Sequence, residues 1–167
     1  MRVHRRRPAF RGYGVPFSDE GMLSWSWAEQ RLVQARNYWV ATTRPDGRPH
    51  AMPVWGVWLE DAFFFGSGRE SAKSRNLAAN PAAVVHLESG DETVIIEGRA
   101  GPVLDKDLEQ RVDAAYAPKY DWQPDPVEAT PWFVVSPRRG YAWTERGYPG
   151  NATQFDFGHK DDGPKTG

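Results

Sequence analysis

The sequence predicts a mainly β fold, a closed antiparallel barrel of about six short strands with three short helices. Aromatic and β-branched runs of four to twelve residues alternate with turns rich in Gly, Pro and Asp. Closing such a sheet removes its exposed edges. The 167 residues, of which 40% are hydrophobic, suit one globular domain.

The first half of the chain predicts a basic arm, a helix and three strands. Residues 1–17 hold five Arg among Gly and Pro, which favours an extended, solvated N-terminal arm. Ser26 and Glu29 fit a capping box for a helix over 27–36. Strands follow over 38–43, 50–59 and 62–66, with Pro45-Asp46-Gly47 as the first turn.

The second half predicts two further helices and the remaining strands. Ser71 opens a helix to Ala79, and Asp105 opens one to about Tyr116. A Pro-rich loop then covers 118–131. Strands are expected over 83–87, 93–104, 132–135 and 141–144. Residues 18–157 form a single domain in this interpretation, and 158–167 form a disordered tail.

Charge and cysteine content restrict the function classes. The formal net charge is −1, so nucleic acid and membrane are not expected partners. The chain has no Cys, which excludes disulfides, thiol catalysis and Cys-ligated metals and suits a cytoplasmic protein. Four scattered His residues predict no metal site.

The junction of a strand and a helix at residues 63–77 is the main candidate site. Ser67, Gly68 and Ser71 end the strand and begin the helix, and Lys73 lies in its first turn. Unpaired N–H groups, hydroxyls and an ammonium group together suit a phosphate. An ordinary capped helix with a solvated basic face explains the same residues, so both interpretations stay open.

The segment 47–58 is a second candidate. Pro53 cannot donate to a sheet, so its strand lies at an edge or a bulge. The main chain of Pro53-Val54-Trp55 is then free to pair with a ligand that carries N–H and C=O groups. The alternative is a bent barrel strand whose aromatic side chains lie in the core.

An ordered set of motifs resembles the pyridoxamine 5'-phosphate oxidase-like split β-barrel superfamily, and within it the flavin- and deazaflavin-dependent oxidoreductases. The motifs are Tyr38-Trp39-Val40-Ala41-Thr42-Thr43, Asp46-Gly47-Arg48-Pro49, Pro53-Val54-Trp55, Ser71-Ala72-Lys73-Ser74-Arg75-Asn76-Leu77, Asn80-Pro81 and Val94-Ile95-Ile96-Glu97-Gly98-Arg99-Ala100. The resemblance implies a six-stranded antiparallel split β-barrel and a homodimer with two cofactor sites at its interface. The cofactor-binding residues that it implies are Met52, Pro53, Val54, Trp55, Ser67, Gly68, Ser71, Ala72, Lys73 and Arg75, with Trp143 stacking from the partner subunit.

Departures from the parent enzymes bear on the cofactor. Ala72, Met52 and Val57 stand where those enzymes carry Arg or Lys for the FMN phosphate, and Thr153-Gln154-Phe155 replaces a C-terminal Thr-Arg-Trp motif. The resemblance therefore favours the deazaflavin coenzyme F-420, whose phosphodiester carries less charge, with FMN second. The acidic tail of coenzyme F-420 would suit Arg69, Arg75 or the basic arm.

The expected function is an oxidoreductase that transfers hydride between a deazaflavin or FMN and a small unsaturated organic substrate. Pyridoxamine phosphate oxidation itself is not expected. Tyr120 and His50 are the only candidate proton donors that the sequence offers. The alternatives are a non-catalytic module that binds flavin, haem or biliverdin, and a folded dimer with a degenerate site.

Overall fold

The computed structural model describes residues 1–121 and 130–158, which contain nine strands and three α-helices. The strands are β1 (Arg2–Arg6), β2 (Tyr38–Thr43), β3 (Pro49–Val54), β4 (Gly56–Leu59), β5 (Ala62–Gly66), β6 (Ala82–Leu87), β7 (Glu92–Pro102), β8 (Trp132–Thr144) and β9 (Thr153–Gly158). The helices are α1 (Trp25–Gln34), α2 (Ala72–Ala79) and α3 (Lys106–Tyr120). None of the described helices is both long enough and apolar enough to cross a membrane.

Antiparallel pairing closes a barrel. Proceeding around it, β2 pairs with β6, β6 with β7, β7 with β8, β8 with β5 and β5 with β4. Only Trp55 separates β4 from β3, and β3 pairs with β2, so the two behave as halves of one bent strand. The predicted mainly β, antiparallel split-barrel class is confirmed.

The strand count differs from the six predicted. The run 50–59 is broken at Trp55, and β8 is one continuous strand over the two short runs predicted there. Two strands outside the ring were not expected. The first half of β8 pairs with β5, whereas Arg139–Ala142 in its second half pairs with β9. The long strand β8 thus belongs both to the barrel and to an extension of the sheet that β9 and β1 form.

The extension includes β1, which corrects the interpretation of the N-terminus as a solvated arm. β1 pairs with β9 over its whole length, from Arg2↔Gly158 to Arg6↔Gln154. The guanidinium of Arg6 donates to Asp156 at 2.6 Å. The basic residues of the arm therefore cover an edge that β9 would otherwise expose. Residues 159–167 of the predicted tail lie outside the described part of the chain.

Two helix boundaries also differ from the prediction. The Ser24 hydroxyl, rather than that of Ser26, caps α1 by accepting the Trp27 N–H at 3.2 Å. Asp105 caps α3 as predicted, but the helix continues through Pro118 to Tyr120. Contacts of its last two side chains with the barrel hold this end, as described below. The rest of the predicted loop includes residues 122–129, which are outside the described part.

Apolar side chains fill two cores. One lies inside the barrel, where Phe63, Phe65, Val85 and Val135 are fully buried. The other lies between α3 and the outer surface of β4, β5 and β8. Strand β5 belongs to the barrel wall between the two cores, and α2 follows the end of β5 along the chain. The candidate site lies at this junction.

Candidate functional site

The N-terminus of α2 forms a capped, positively polarised helix end. Ser71 is the N-cap, and its hydroxyl accepts the Ser74 N–H at 3.1 Å. The N–H groups of Ala72 and Lys73 precede the first intrahelical hydrogen bond and so have no partner within the helix. The first turn of α2 contains no acidic residue. This end of the helix therefore has donors and a partial positive charge for an anion.

Three serine hydroxyls support the cap. Ser67 lies 2.8 Å from Ser71 and 3.2 Å from Ser74, oxygen to oxygen, and Ser74 also donates to the Gly68 carbonyl at 2.8 Å. Ser67 and Ser74 are buried, whereas Ser71 is partly exposed. Ser71 is thus the one partly exposed residue of the three. Ser67 holds the loop in place, and its predicted contact with a cofactor stays a prediction.

Lys73 supplies the positive charge of the site. It is half-buried, and among the described residues no carboxylate lies within ion-pair distance of its ammonium group. Burial lowers its pKa from the usual value of a lysine. A bound anion would compensate for this lost hydration, because a nearby opposite charge favours the charged form.

A polar cluster that the sequence analysis did not assemble lies beside Lys73. The buried Asn76 amide donates to the Thr42 hydroxyl at 2.9 Å, which fastens α2 to β2. The same hydroxyl lies 3.4 Å from Nδ1 of His50. Burial and the charges of Arg44 and Lys73 lower the pKa of His50. Thr42 thus links His50 of β3 to Asn76 of α2.

The strand β3 is an open edge, as the position of Pro53 predicts. Among the described strands its one neighbour is β2, with Trp39↔Pro53, Val40↔Met52 and Thr42↔His50 opposite each other. Side chains alternate along a strand, so His50, Met52 and Val54 share a face, and Pro53 lies on the other. His50 lies beside the Thr42 hydroxyl that accepts from Asn76 of α2, so this face lies on the side of α2.

Trp55 lies at the break between β3 and β4, where α3 holds the main chain. Its ring stacks on Tyr120 with centroids 4.8 Å apart. The Tyr120 hydroxyl accepts the Gly56 N–H at 2.9 Å and lies 2.8 Å from the Gly56 carbonyl and 2.7 Å from that of Arg36. These contacts commit the hydroxyl to structure, and burial raises the pKa of Tyr120. Its proposed use as a proton donor is not favoured.

Lys119 lies at the same junction, and the sequence analysis did not predict its structural role. Its ammonium group donates to the Tyr38 hydroxyl at 2.7 Å, the Gly56 carbonyl at 3.0 Å and the Val33 carbonyl at 3.2 Å. Three chain segments therefore meet at one cation. Burial lowers the pKa of Lys119 to about 8.

Two predicted site residues, Arg75 and Trp143, do not contact this cluster within one chain. Arg75 is exposed, and its guanidinium donates to the Glu70 carbonyl. Trp143 lies on β8 and lines a cavity with Phe10 and Tyr148, away from the helix end. Its predicted contribution from a partner subunit stays a prediction. Within the described ranges, no group of three or more metal-ligating side chains is present.

The same fold occurs in solved structures of low sequence identity. A conserved hypothetical protein, Rv2991, from Mycobacterium tuberculosis has 21% identity over 90% of this chain and 98% of that one, with a TM-score of 0.68. A pyridoxamine 5'-phosphate oxidase-related, FMN-binding protein from Nostoc punctiforme has 23% identity over 74% and 81%, with a TM-score of 0.53. An F420 reductase has 23% identity over 66% and 94%, with a TM-score of 0.52. At such identities these likenesses show the fold alone.

The sequence itself matches a family model over most of the barrel. The match runs from residue 28 to residue 144, from within α1 to the end of β8, and it includes β3, α2 and the Trp55 junction. The chain therefore belongs to the pyridoxamine 5'-phosphate oxidase family.

Proposed function

We propose that the protein is an oxidoreductase that binds the deazaflavin coenzyme F-420, or FMN with lower affinity, and transfers hydride to or from a small unsaturated organic substrate. The observation that carries this proposal is Lys73, a half-buried cation without a described carboxylate partner at a helix N-terminus beside an open strand edge. A phosphate group is the anion that such a combination suits.

The residues present fit one singly charged phosphate better than a dianion. The N–H groups of Ala72 and Lys73, the Ser71 hydroxyl and the Lys73 ammonium group would hold it. Met52 is 45% exposed but uncharged, and Val57 is buried in the outer core. Neither can replace the basic residues of the parent enzymes, which supports the preference for a phosphodiester.

The strand edge would receive the ring system. The main chain of β3 at Pro53 and Val54 faces no further strand among those described, so this edge would be open to a ligand. A deazaflavin or flavin supplies hydride chemistry when bound, and the protein orients it and limits access of water. The stacked Tyr120 and the three hydrogen bonds of Lys119 fix the position of this segment.

A homodimer is part of the proposal, and the outer face of the sheet supports it. Trp39, His86, Ile95 and Tyr141 lie opposite one another on four neighbouring strands, and each is partly exposed. The rings of Trp39 and His86 are parallel, with centroids 6.5 Å apart. A continuous row of large side chains across a sheet is typical of a surface that another protein covers.

Ile95→Glu is expected to convert the proposed dimer into a monomer, because it buries a charge in the centre of this row. Sedimentation equilibrium at several concentrations should give the mass of two chains for the wild type and of one chain for the variant. Val33→Glu is the matched control, because Val33 is 51% exposed on α1 and outside the row. A wild-type protein with the mass of one chain at all concentrations would refute the dimer.

Lys73→Ala is expected to weaken binding of coenzyme F-420 about tenfold or more, since it removes a charge-assisted contact to phosphate. Titrations with coenzyme F-420, FMN, haem and biliverdin, followed by absorbance, test the protein and the variant in parallel. Lys106→Ala is the matched control, because Lys106 is an exposed lysine in the first turn of α3.

The titrations separate the candidate functions. FMN affinity above that of coenzyme F-420 would refute the preference for the deazaflavin. Binding of haem or biliverdin alone would assign the protein to the non-catalytic modules. Equal losses in the two lysine variants would show that Lys73 is not at the phosphate.

A further inference from the structure

Strand β1 forms one end of the sheet and has an open edge. The path of paired strands runs from β1 through β9 to β3, and β9 is the one neighbour of β1 among the described strands. Beyond that pairing, no described backbone group binds the main chain of Arg2–Arg6. Every second residue of β1 therefore turns its N–H and C=O groups away from the sheet, where they can bind the main chain of a further strand.

The other end of this path, β3, is less suited to receive a strand. Pro49 and Pro53 lack the N–H group that a ladder of hydrogen bonds needs. Strand β1 contains no proline, and its pairing with β9 runs without a register shift over all 5 residues. Of these two ends, β1 is thus the one at which the ladder can continue.

Strand β1 is held in place before any partner binds. Val3 packs against the buried core of the barrel, and the Arg6 guanidinium donates to Asp156 at 2.6 Å. The guanidinium of Arg5 donates to the Met22 carbonyl at 3.4 Å, on the segment that precedes α1. A partner strand would meet an edge that is already ordered, which lowers the entropic cost of binding.

The side chains of β1 determine which strand could bind there. All but Val3 are exposed. Arg2 and Arg5 have no carboxylate within ion-pair distance among the described residues, whereas Arg6 pairs with Asp156. The edge therefore carries positive charge that the described part of the chain does not neutralise. Carboxylates on a neighbouring strand would stabilise the pairing, because opposite charges on adjacent strands attract.

A second copy of β1 is a poor partner for the same reason. In an antiparallel pair of two β1 strands centred on His4, each Arg2 lies opposite an Arg6. Like charges directly opposite each other destabilise a sheet, and charged edges are one means by which proteins prevent self-association. The occupant that the charges favour is an acidic strand from another molecule.

Side chains alternate along β1, so Arg2, His4 and Arg6 share one face, and Val3 and Arg5 lie on the other. We propose that the edge of β1 binds an extended peptide segment in which acidic and apolar residues alternate. The main chain of the peptide would continue the sheet, its carboxylates would lie beside Arg2 and Arg6, and its apolar side chains would lie beside Val3. This interaction goes beyond the function proposed above and does not depend on it.

The probe is a peptide of alternating glutamate and valine, as long as β1 and blocked at both ends. Amide hydrogen exchange of the full chain, resolved by residue with NMR, is the first measurement. Without peptide, the outward-facing amides of β1 should exchange quickly and those bonded to β9 slowly. A saturating concentration of peptide should slow the outward-facing amides about tenfold, because exchange then requires dissociation.

Arg2→Glu is expected to weaken peptide binding about tenfold, because it replaces an attraction with a repulsion. Fluorescence anisotropy of labelled peptide measures the affinity, and slow exchange of the amides bonded to β9 checks that β1 stays paired. Arg11→Glu is the matched control. It makes the same change in net charge at an exposed residue of the same segment, outside β1.

The main-chain contribution is tested with a peptide whose alternate amides are N-methylated. This peptide keeps its carboxylates but cannot donate to β1, so it should not bind. Undiminished binding of the methylated peptide would refute strand addition. Equal losses in Arg2→Glu and Arg11→Glu would also refute it, because they would show attraction to the net charge rather than to the edge.

Two further results would assign the edge to another occupant and overturn the inference. A dimer or larger assembly whose mass in sedimentation equilibrium falls in Arg2→Glu would make a second copy the occupant. Displacement of the peptide by coenzyme F-420 would assign β1 to the acidic tail of the cofactor. Lys73→Ala should leave peptide binding unchanged, whether or not it weakens cofactor binding, so the two proposals fail independently.

Discussion

Gly56→Ala is expected to lower the free energy of unfolding by about 3 kcal/mol, because β4 leaves no space for a methyl group there. An added Cβ would lie 2.4 Å from Cζ of Phe63 and 2.5 Å from the Phe64 carbonyl oxygen. Phe63 is fully buried in the barrel, and the Phe64 carbonyl belongs to the adjacent strand. Neither neighbour can move without disturbing closely packed structure.

Urea unfolding followed by far-UV circular dichroism measures this effect. Gly101→Ala in β7 is the matched control, because nothing lies within 4 Å of its added Cβ. It should change the free energy of unfolding by less than about 1 kcal/mol. A similar small change in Gly56→Ala would mean that β4 shifts to accept the methyl group, and that the approach of β4 to β5 is not fixed.

The position of Gly56 shows which features of the fold the sequence could predict. The alternation of aromatic and β-branched residues located β2 and β5 with correct ends. The same alternation continues past Trp55, so it predicted one strand where the structure has two. The break depends on Tyr120, which is 64 residues away in the sequence and binds both polar groups of Gly56. Periodicity carries no information on such a contact.

The candidate site likewise combines features that local sequence signals predict with features that depend on tertiary packing. The Ser71 cap and the position of Lys73 follow from local signals, since a cap and its first turn are adjacent in sequence. His50 and Asn76 join them only because the hairpin register places His50 opposite Thr42 and α2 packs on β2. The turn at residues 45–47 could have fixed that register, but the packing of α2 could not be derived from the sequence.

Strand β1 was missed for a different reason. Its five residues include three arginines, and such a composition favours a solvated arm. The strand forms because the edge of β9 offers hydrogen bonds and Asp156 offers a partner for Arg6. Neither β9 nor its exposed edge was predicted, so nothing in the local sequence indicated a strand.

Lys119 should make the stability of the protein depend on pH. Burial lowers its pKa in the folded protein from the usual lysine value of 10.5 to about 8. Between these values the unfolded chain binds more protons than the folded one, so the free energy of unfolding rises with pH. The rise is expected to reach about 1–2 kcal/mol, because the ammonium group is half-exposed and solvent screens part of the penalty.

Lys119→Met should abolish this rise while it preserves most of the side-chain volume. Chemical denaturation at several pH values from 7 to 9.5 gives the free energy of unfolding of each protein. The difference between wild type and variant is then followed as a function of pH. Tyr38 and Tyr120 face the ammonium group, and burial raises the pKa of each, so both stay neutral in the folded protein over this range. Their titration in the unfolded chain is common to both proteins and cancels in the difference.

Lys106→Met is the control for the change of residue type, because Lys106 is exposed and should show the wild-type slope. A Lys119→Met protein that keeps the slope would assign the titration to another group. A wild-type protein whose stability does not rise would mean that the three acceptors around Lys119 compensate for its lost hydration. In that case the ammonium group would hold the Trp55 junction equally well on both sides of pH 8, and cofactor binding at β3 would not change with pH through this residue.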